Sequence, residues 1–220
     1  MSKLVIKDLK HTYTDGQNTV EVLKGVNAEF EHGKIYAIVG ESGSGKTTLI
    51  SLLSALDKIQ SGDISYDGQS IKEIGEQTFR LKYVSIVFQA FNLIKYMTAR
   101  ENVEMALDFA KYSGDEKARA YELLKRVGIS QTESDRLVQK LSGGQQQRVA
   151  IARAIASDAP VIVADEPTGN LDDSTESKIL EIFYDLAIRD QKIVILVTHS
   201  KKVANHANAV LHEMKNGLLV

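Results

Sequence analysis

The sequence predicts an α/β fold with a parallel sheet covered on both faces, and three observations carry that expectation. The aliphatic runs IYAIV (Ile35 to Val39), VIVAD (Val161 to Asp165) and IVILV (Ile193 to Val197) show no apolar–polar alternation, which is how strands buried on both faces read. Other stretches place apolar residues at helical spacing, as in Ile179, Leu180, Ile182, Phe183, Leu186 and Ala187. Runs and helical stretches alternate, the rhythm of parallel strands joined by crossover helices.

LVI (Leu4 to Ile6) and VEVL (Val20 to Leu23) flank a polar turn at Asp15-Gly16 and predict two strands. AEF, then His32-Gly33, then IYAIV predict two more strands joined by a tight turn. From Gly45 the period changes, and Leu49, Ile50, Leu52, Leu53 and Leu56 share one helical face. GDISYDG (Gly62 to Gly68) and VSIVF (Val84 to Phe88) read as short strands. Helices are expected over Thr98 to Ala110, Asp115 to Val127 and Ser142 to Ser157, and VLHEM (Val210 to Met214) supplies a closing strand. The β-rich start and the helix-rich stretch from about 92 to 141 break the alternation. They are expected to form an antiparallel lobe and a helical lobe on one core, within a single domain spanning 1–220.

Composition narrows the function classes. With 43% hydrophobic and 25% charged residues and two prolines, the chain has the make-up of an ordinary globular protein. Its 27 Lys and Arg against 29 Asp and Glu give a net charge of −2, without the basic excess that nucleic-acid binding draws on. No cysteine is present, which excludes disulfides, thiolate catalysis and cysteine-ligated zinc or iron–sulfur sites. The opening MSKLVIKDLK lacks the apolar core of a signal peptide, and the aliphatic runs are too short to span a bilayer. The expectation is a cytoplasmic chain without direct membrane insertion, whose membrane role comes through a partner.

GESGSGKT (Gly40, Glu41, Ser42, Gly43, Ser44, Gly45, Lys46, Thr47) fits G-x-x-x-x-G-K-[ST] in full, directly after an apolar strand and directly before an amphipathic helix that continues with Thr48. Glycines there let backbone N–H groups turn toward phosphate oxygens, and the helix N-terminus adds partial positive charge. Lys46 can reach the β- and γ-phosphates, and the Thr47 hydroxyl suits Mg²⁺. VIVADE places Asp165 at the carboxyl end of a buried strand, where ligands of open α/β sheets bind, so it can serve the metal shell. Glu166 follows as the group to take a proton from an attacking water. The sequence has no guanine-reading N-K-x-D segment. LSGGQQQR (Leu141 to Arg148) opens another helix, with Ser142 as N-cap and Gly143 and Gly144 behind it, a second place where backbone N–H groups could meet an anion.

LSGGQQQRVAIARAI followed by VIVADEPTGNLD resembles the ATP-binding-cassette ATPase family closely, and the resemblance extends over essentially the whole chain. It implies a P-loop nucleotide-binding domain with a RecA-like core, an N-terminal antiparallel β subdomain and a helical subdomain. It also implies Mg-ATP hydrolysis that drives an integral-membrane permease from the inner face of the membrane. By resemblance Tyr13 stacks on adenine, Gln89 in VFQAFNL links the metal shell to the membrane partner, GNLD (Gly169 to Asp172) is the D-loop, and His199 in LVTHS contacts the γ-phosphate. Leu141, Ser142, Gly143, Gly144 and Gln145 would act in trans on the ATP of a second copy in a nucleotide-dependent homodimer. The stripe Phe91, Leu93, Ile94, Tyr96, Met97 would wall the permease groove, while His11, His32, His206 and His212 receive no function. DEPTGNLD, FQAFNL and TARENVEMAL resemble the lipoprotein-release, macrolide-efflux and antimicrobial-peptide branch with MacB-type permeases. Ala106 and Val138 to Lys140 stand where that branch commonly carries proline. Two other roles within the family are a cell-division ATPase that signals through a permease-like partner, and a cassette ATPase without a transporter. The latter typically carries coiled coils, zinc cysteines or paired cassettes, none of which is found here.

Overall fold

The computed structural model describes residues 3–16, 18–169, 171–200, 203, 205 and 209–220. Two long strands, β1 (Lys3–Asp15) and β2 (Asn18–Glu31), pair antiparallel. The chain then enters β3 (Lys34–Val39) and α1 (Lys46–Leu53), returns to β1 through β4 (Ser61–Tyr66) and β5 (Gln69–Ser70), and makes two short helices, α2 (Ile71–Ile74) and α3 (Glu76–Lys82). After β6 (Val84–Val87) come α4 (Ala99–Phe109), α5 (Glu116–Arg126) and α6 (Gln131–Ser134). The second half alternates α7 (Gly143–Ile155), β7 (Val161–Asp165), α8 (Asp173–Ile188) and β8 (Ile193–Thr198), and ends in β9 (Val210–Lys215) and β10 (Leu218–Leu219).

The strands form two sheets, β2-β1-β4-β5 and β10-β9-β3-β8-β7-β6. In the second, β9, β3, β8, β7 and β6 run parallel, and β10 pairs antiparallel at the edge. Its central strands bury both faces, which is why their sequences do not alternate. Ile162, Ala164, Val194 and Leu196 pack into the core shared with α4, α5, α7 and α8. Val161, Val163, Ile193, Ile195 and Val197 face the opposite core, which joins Leu49, Leu52 and Leu53 of α1 to Leu4, Ile6 and Phe30 of the antiparallel sheet. The helix starts follow their caps. Thr98 forms a capping box with Glu101, the Asp115 carboxylate accepts from the Ala118 N–H, and Ser142 forms a capping box with Gln145.

Two expectations are corrected. VEVL and AEF belong to one 14-residue strand, β2, whose register against β1 shifts at irregularities that absorb the intervening residues. The expected tight turn at His32-Gly33 does join β2 to β3, and because β8 and β9 occupy both edges of β3 it carries the chain between sheets. Leu56 lies outside the helical face. The helix stops at Leu53, Ala55 turns into positive φ (49°), and Leu56 is 52% exposed.

Candidate active site

The loop Gly40–Gly45 joins β3 to α1 at the carboxyl edge of the parallel sheet. Gly45 has φ 108°, and a Cβ there would come within 3.0 Å of both Leu23 and Met214, so strand β2 and strand β9 clamp the loop. A side chain at that point would meet both strain and crowding. Lys46 Nζ donates to the Gly40 and Glu41 carbonyls, 2.8 Å each, and holds the loop closed on itself. The Ser44 hydroxyl is buried without a hydrogen-bond partner among the described residues.

Strand order brings the second half of the site beside this loop. β8 lies between β3 and β7, in register from Val39 to Thr198 and from Asp165 to Val197. The three strands therefore end together, at the edge where open α/β sheets receive ligands. A cavity of about 540 Å³ is lined there by Val22, Ser42, Gly43, Gly45, Lys46, Thr47, Thr48, Gln89, Asp165, Glu166 and His199. Burial pushes the Asp165 carboxyl up, the neighbouring charge of Glu166 adds to this, and Lys46 partly offsets it. Glu166 adopts φ 45°, unusual for a non-glycine residue, and donates its backbone N–H to the Val197 carbonyl at 2.8 Å. Its Oε1 lies 2.8 Å from His199 Nδ1, and its Oε2 accepts from the Thr198 hydroxyl at 3.4 Å.

Gln89 reaches the cavity from the segment after β6, and that segment is anchored from two helices. Arg153 of α7 donates to the Phe91 and Asn92 carbonyls, and both of these residues have positive φ. Asn102 of α4, fully buried, bonds the Ile94 N–H and carbonyl. Of the stripe that follows Gln89, Leu93 packs against the core, whereas Tyr96 is exposed.

Tyr13 stands apart from this cavity. It is 46% exposed on β1, donates to Asp57 Oδ2 at 3.4 Å and packs edge-on against His11. Its register partner Val20 lines a neighbouring cavity of about 410 Å³ with Glu41 to Ser44 and Glu213 to Gly217. None of Leu141, Ser142, Gly143, Gly144 or Gln145 lines either cavity. Leu141 is buried in the helical core, while Ser142 and Gly143 are exposed at the start of α7. A Cβ on Gly144 would lie 2.4 Å from Thr175 Cγ2, so this glycine lets α7 approach α8. Asp172 caps α8, and four hydrogen bonds from Ser174 and Thr175 hold its carboxylate well below the usual range. Asn170 of the GNLD segment and His206 lie outside the described residues. Sequence reasoning missed Thr198 and Met214, which touch the site as strand residues without a motif of their own.

The residues present fit a nucleotide with a divalent cation. A half-buried carboxylate with its charge penalised, an adjacent hydroxyl and amide, and a lysine over a glycine loop form a hard-oxygen, anion-binding set. Residues 23–169 match the ABC transporter family. The chain belongs to that family. An uncharacterized ABC transporter ATP-binding protein of Bacillus subtilis, YclH, is 44% identical over 93% of this chain and 90% of its own. The macrolide export ATP-binding/permease protein MacB of Mannheimia succiniciproducens is 40% identical over the whole of this chain, which spans 34% of MacB. Among solved structures, the dimeric ATP-binding cassette MJ0796 in a post-hydrolysis state bound to ADP and Pi superposes with a TM-score of 0.88. It is 37% identical, covering 98% of this chain and 96% of that one. The chain is thus an ABC transporter ATP-binding subunit and an ATPase. Among the described residues no helix is long and apolar enough to cross a membrane.

Proposed function

We propose that residues 1–220 act as one nucleotide-binding domain, with residues 92–141 as its helical subdomain. In this reading the domain hydrolyses Mg-ATP to drive an integral-membrane permease of MacB type, for efflux or mechanotransmission with an antimicrobial peptide, drug or lipoprotein as cargo. The chain would sit at the inner face of the cell membrane through that permease, without inserting and without binding nucleic acid. The observation that carries the reading is the convergence of Lys46, Thr47, Gln89, Asp165, Glu166 and His199 on one cavity.

Bound Mg²⁺ would neutralise charge on the phosphates. Thr47, Gln89 and Asp165 would hold it, and Gly40 to Thr48 would cradle the phosphates through backbone N–H groups. Lys46 would exchange the Gly40 and Glu41 carbonyls for phosphate oxygens. Glu166 would take the proton of the attacking water while His199 contacts the γ-phosphate, and Tyr13 would stack on adenine. The signature residues Leu141 to Gln145 would close the site of a second copy, a reading supported by the exposed Ser142 and Gly143 at the start of α7, which line neither of the two cavities described above.

Size-exclusion chromatography with light scattering on Glu166→Gln tests this. A dimer with ATP and a monomer with ADP is the expected result, because ADP lacks the γ-phosphate that both halves share. Monomers in both would refute the trans arrangement. A four-helix permease with a large extracellular domain encoded beside this gene, and stimulating its ATPase in lipid nanodiscs, would support the MacB-type assignment.

A further inference from the structure

The turn that opens α7 is not held by its own cap alone. Ser130 and Glu133 form one capping box at the start of α6, and Ser142 and Gln145 form a second at the start of α7. The two boxes interlock. Glu133 Oε2 accepts from the Ser130 N–H at 2.7 Å and from the Ser130 hydroxyl at 2.6 Å, while Glu133 Oε1 accepts from Gln145 Nε2 at 2.6 Å. Gln145 Oε1 in turn accepts the Ser142 N–H at 2.8 Å, and Ser142 Oγ accepts the Gln145 N–H at 3.3 Å.

The chain of bonds has a fixed polarity. A carboxamide can turn either its oxygen or its NH₂ toward Ser142, and only the oxygen can accept the Ser142 N–H. Glu133, an acceptor at both oxygens, selects that orientation by taking the NH₂ end. With the Ser142 N–H committed to Gln145, the N–H groups of Gly143 and Gly144 remain at the helix start, where no carbonyl of a preceding turn is in line to accept them. We infer that Glu133 is a positioning residue for the signature turn: by fixing the Gln145 carboxamide it sets the geometry in which the Gly143 and Gly144 N–H groups meet the γ-phosphate held by a second copy. The inference rests on the trans reading proposed above and adds a residue outside the signature to it.

Replacing Glu133 by glutamine keeps the size and breaks the polarity. If its NH₂ faces Gln145, it either meets Nε2 or forces that carboxamide to turn its own NH₂ on the Ser142 N–H; if its NH₂ faces Ser130, it meets that N–H, so two donors oppose each other in every arrangement. Ser130→Ala is the control: it strips the hydroxyl from the α6 capping box and leaves Glu133 Oε1 in place to accept from Gln145 Nε2.

The test uses the full chain carrying Glu166→Gln, and measures ATP-dependent dimerisation by analytical ultracentrifugation and ATP affinity of the dilute monomer by titration with a fluorescent analogue. Glu133→Gln is expected to weaken the dimer by about tenfold or more, the scale of one misdirected hydrogen bond at each of two sites. Monomer affinity should stay unchanged, and Ser130→Ala should keep most of the dimer. An unchanged dimer in Glu133→Gln would overturn the inference. So would an equal loss in Ser130→Ala, or a parallel loss of monomer affinity, because either would make Glu133 a prop for the helical lobe. If the Glu166→Gln parent itself fails to dimerise with ATP, the trans reading falls, and the inference with it, on a control that does not involve Glu133.

Discussion

His199 Nδ1 lies 2.8 Å from Glu166 Oε1, although 33 residues separate them in sequence. Strands β7 and β8 are parallel neighbours with Asp165 opposite Val197, so each chain leaves the sheet at the same level. The positive φ of Glu166 then turns its side chain along the sheet edge, and its backbone N–H stays tied to Val197. The carboxylate is thereby held by a histidine on one oxygen and the Thr198 hydroxyl on the other. This fixes a carboxylate at the cavity wall, the positioning that the base role proposed for it would require.

Glu166→Gln preserves the size of that side chain and removes its basicity. Phosphate release is expected to fall by roughly 10²–10⁴, the usual scale for a positioned general base, with ATP affinity retained. A malachite-green assay beside a binding titration separates the two effects. Turnover at the wild-type rate would make Glu166 a structural residue.

Lys46→Ala removes the ammonium that now bridges the Gly40 and Glu41 carbonyls. It should abolish nucleotide binding, since no other mobile cation among the described residues lines the main cavity. Titration with a fluorescent ATP analogue reads this directly, and unchanged affinity would refute the cradle.

The parts of the fold legible in the sequence were those with strong periodicity or a cap. The helices expected from Thr98, Asp115 and Ser142 each begin one residue later, with those three residues as N-caps, of which the sequence marked Ser142 as one. Strand pairing was less legible, because IYAIV carries no mark of which strands flank it; β8 and β9 come from the far end of the chain. Helices α2 and α3 were missed because a glycine with φ 87° at position 75 divides them into pieces too short for a helical period. In the site, Lys46, Thr47, Asp165 and Glu166 came from motifs that state their own chemistry. Thr198 was unreadable, since its contact with Glu166 exists only once β7 and β8 are in register. Glu133 did carry a local signal, Ser130 followed three residues later by an acid, but nothing local pointed to Gln145 as its partner.

Gly144 illustrates a motif residue with a packing duty as well. A methyl placed on it would lie 2.4 Å from Thr175 Cγ2, far inside contact distance. Gly144→Ala gains helix propensity of up to about 1 kcal/mol but forces α7 from α8. A net loss of about 1–3 kcal/mol is expected from the overpacking, read by urea denaturation. Thr175→Ser removes the offending methyl and keeps the hydroxyl that bonds Asp172, so the double variant should regain most of the loss. If Thr175→Ser gives no recovery, the clash lies elsewhere.

Asp165 sets stability against function. Its carboxyl is pushed up by burial first and by Glu166 second, so the folded chain holds this proton more tightly than the unfolded chain. The sign follows: the stability tied to this group is complete below the ordinary aspartate range near 4, and it is lost as the pH rises through the raised folded value. At pH 7 the ionised carboxylate therefore weighs against the nucleotide-free fold, and Asp165→Asn should raise the melting temperature by about 1–3 °C, a modest figure because solvent reaches half the group. The gap should narrow as the pH is lowered toward the range in which Asp165 is protonated anyway. Adding ATP with Mg²⁺ should reverse the order, because the wild type gains stability by binding a ligand that the asparagine variant holds poorly. Differential scanning calorimetry at pH 7.5, 6 and 5, with and without Mg-ATP, measures both halves. An asparagine variant that melts below the wild type at pH 7 without nucleotide would show that Asp165 is held by its surroundings rather than kept charged for a cation.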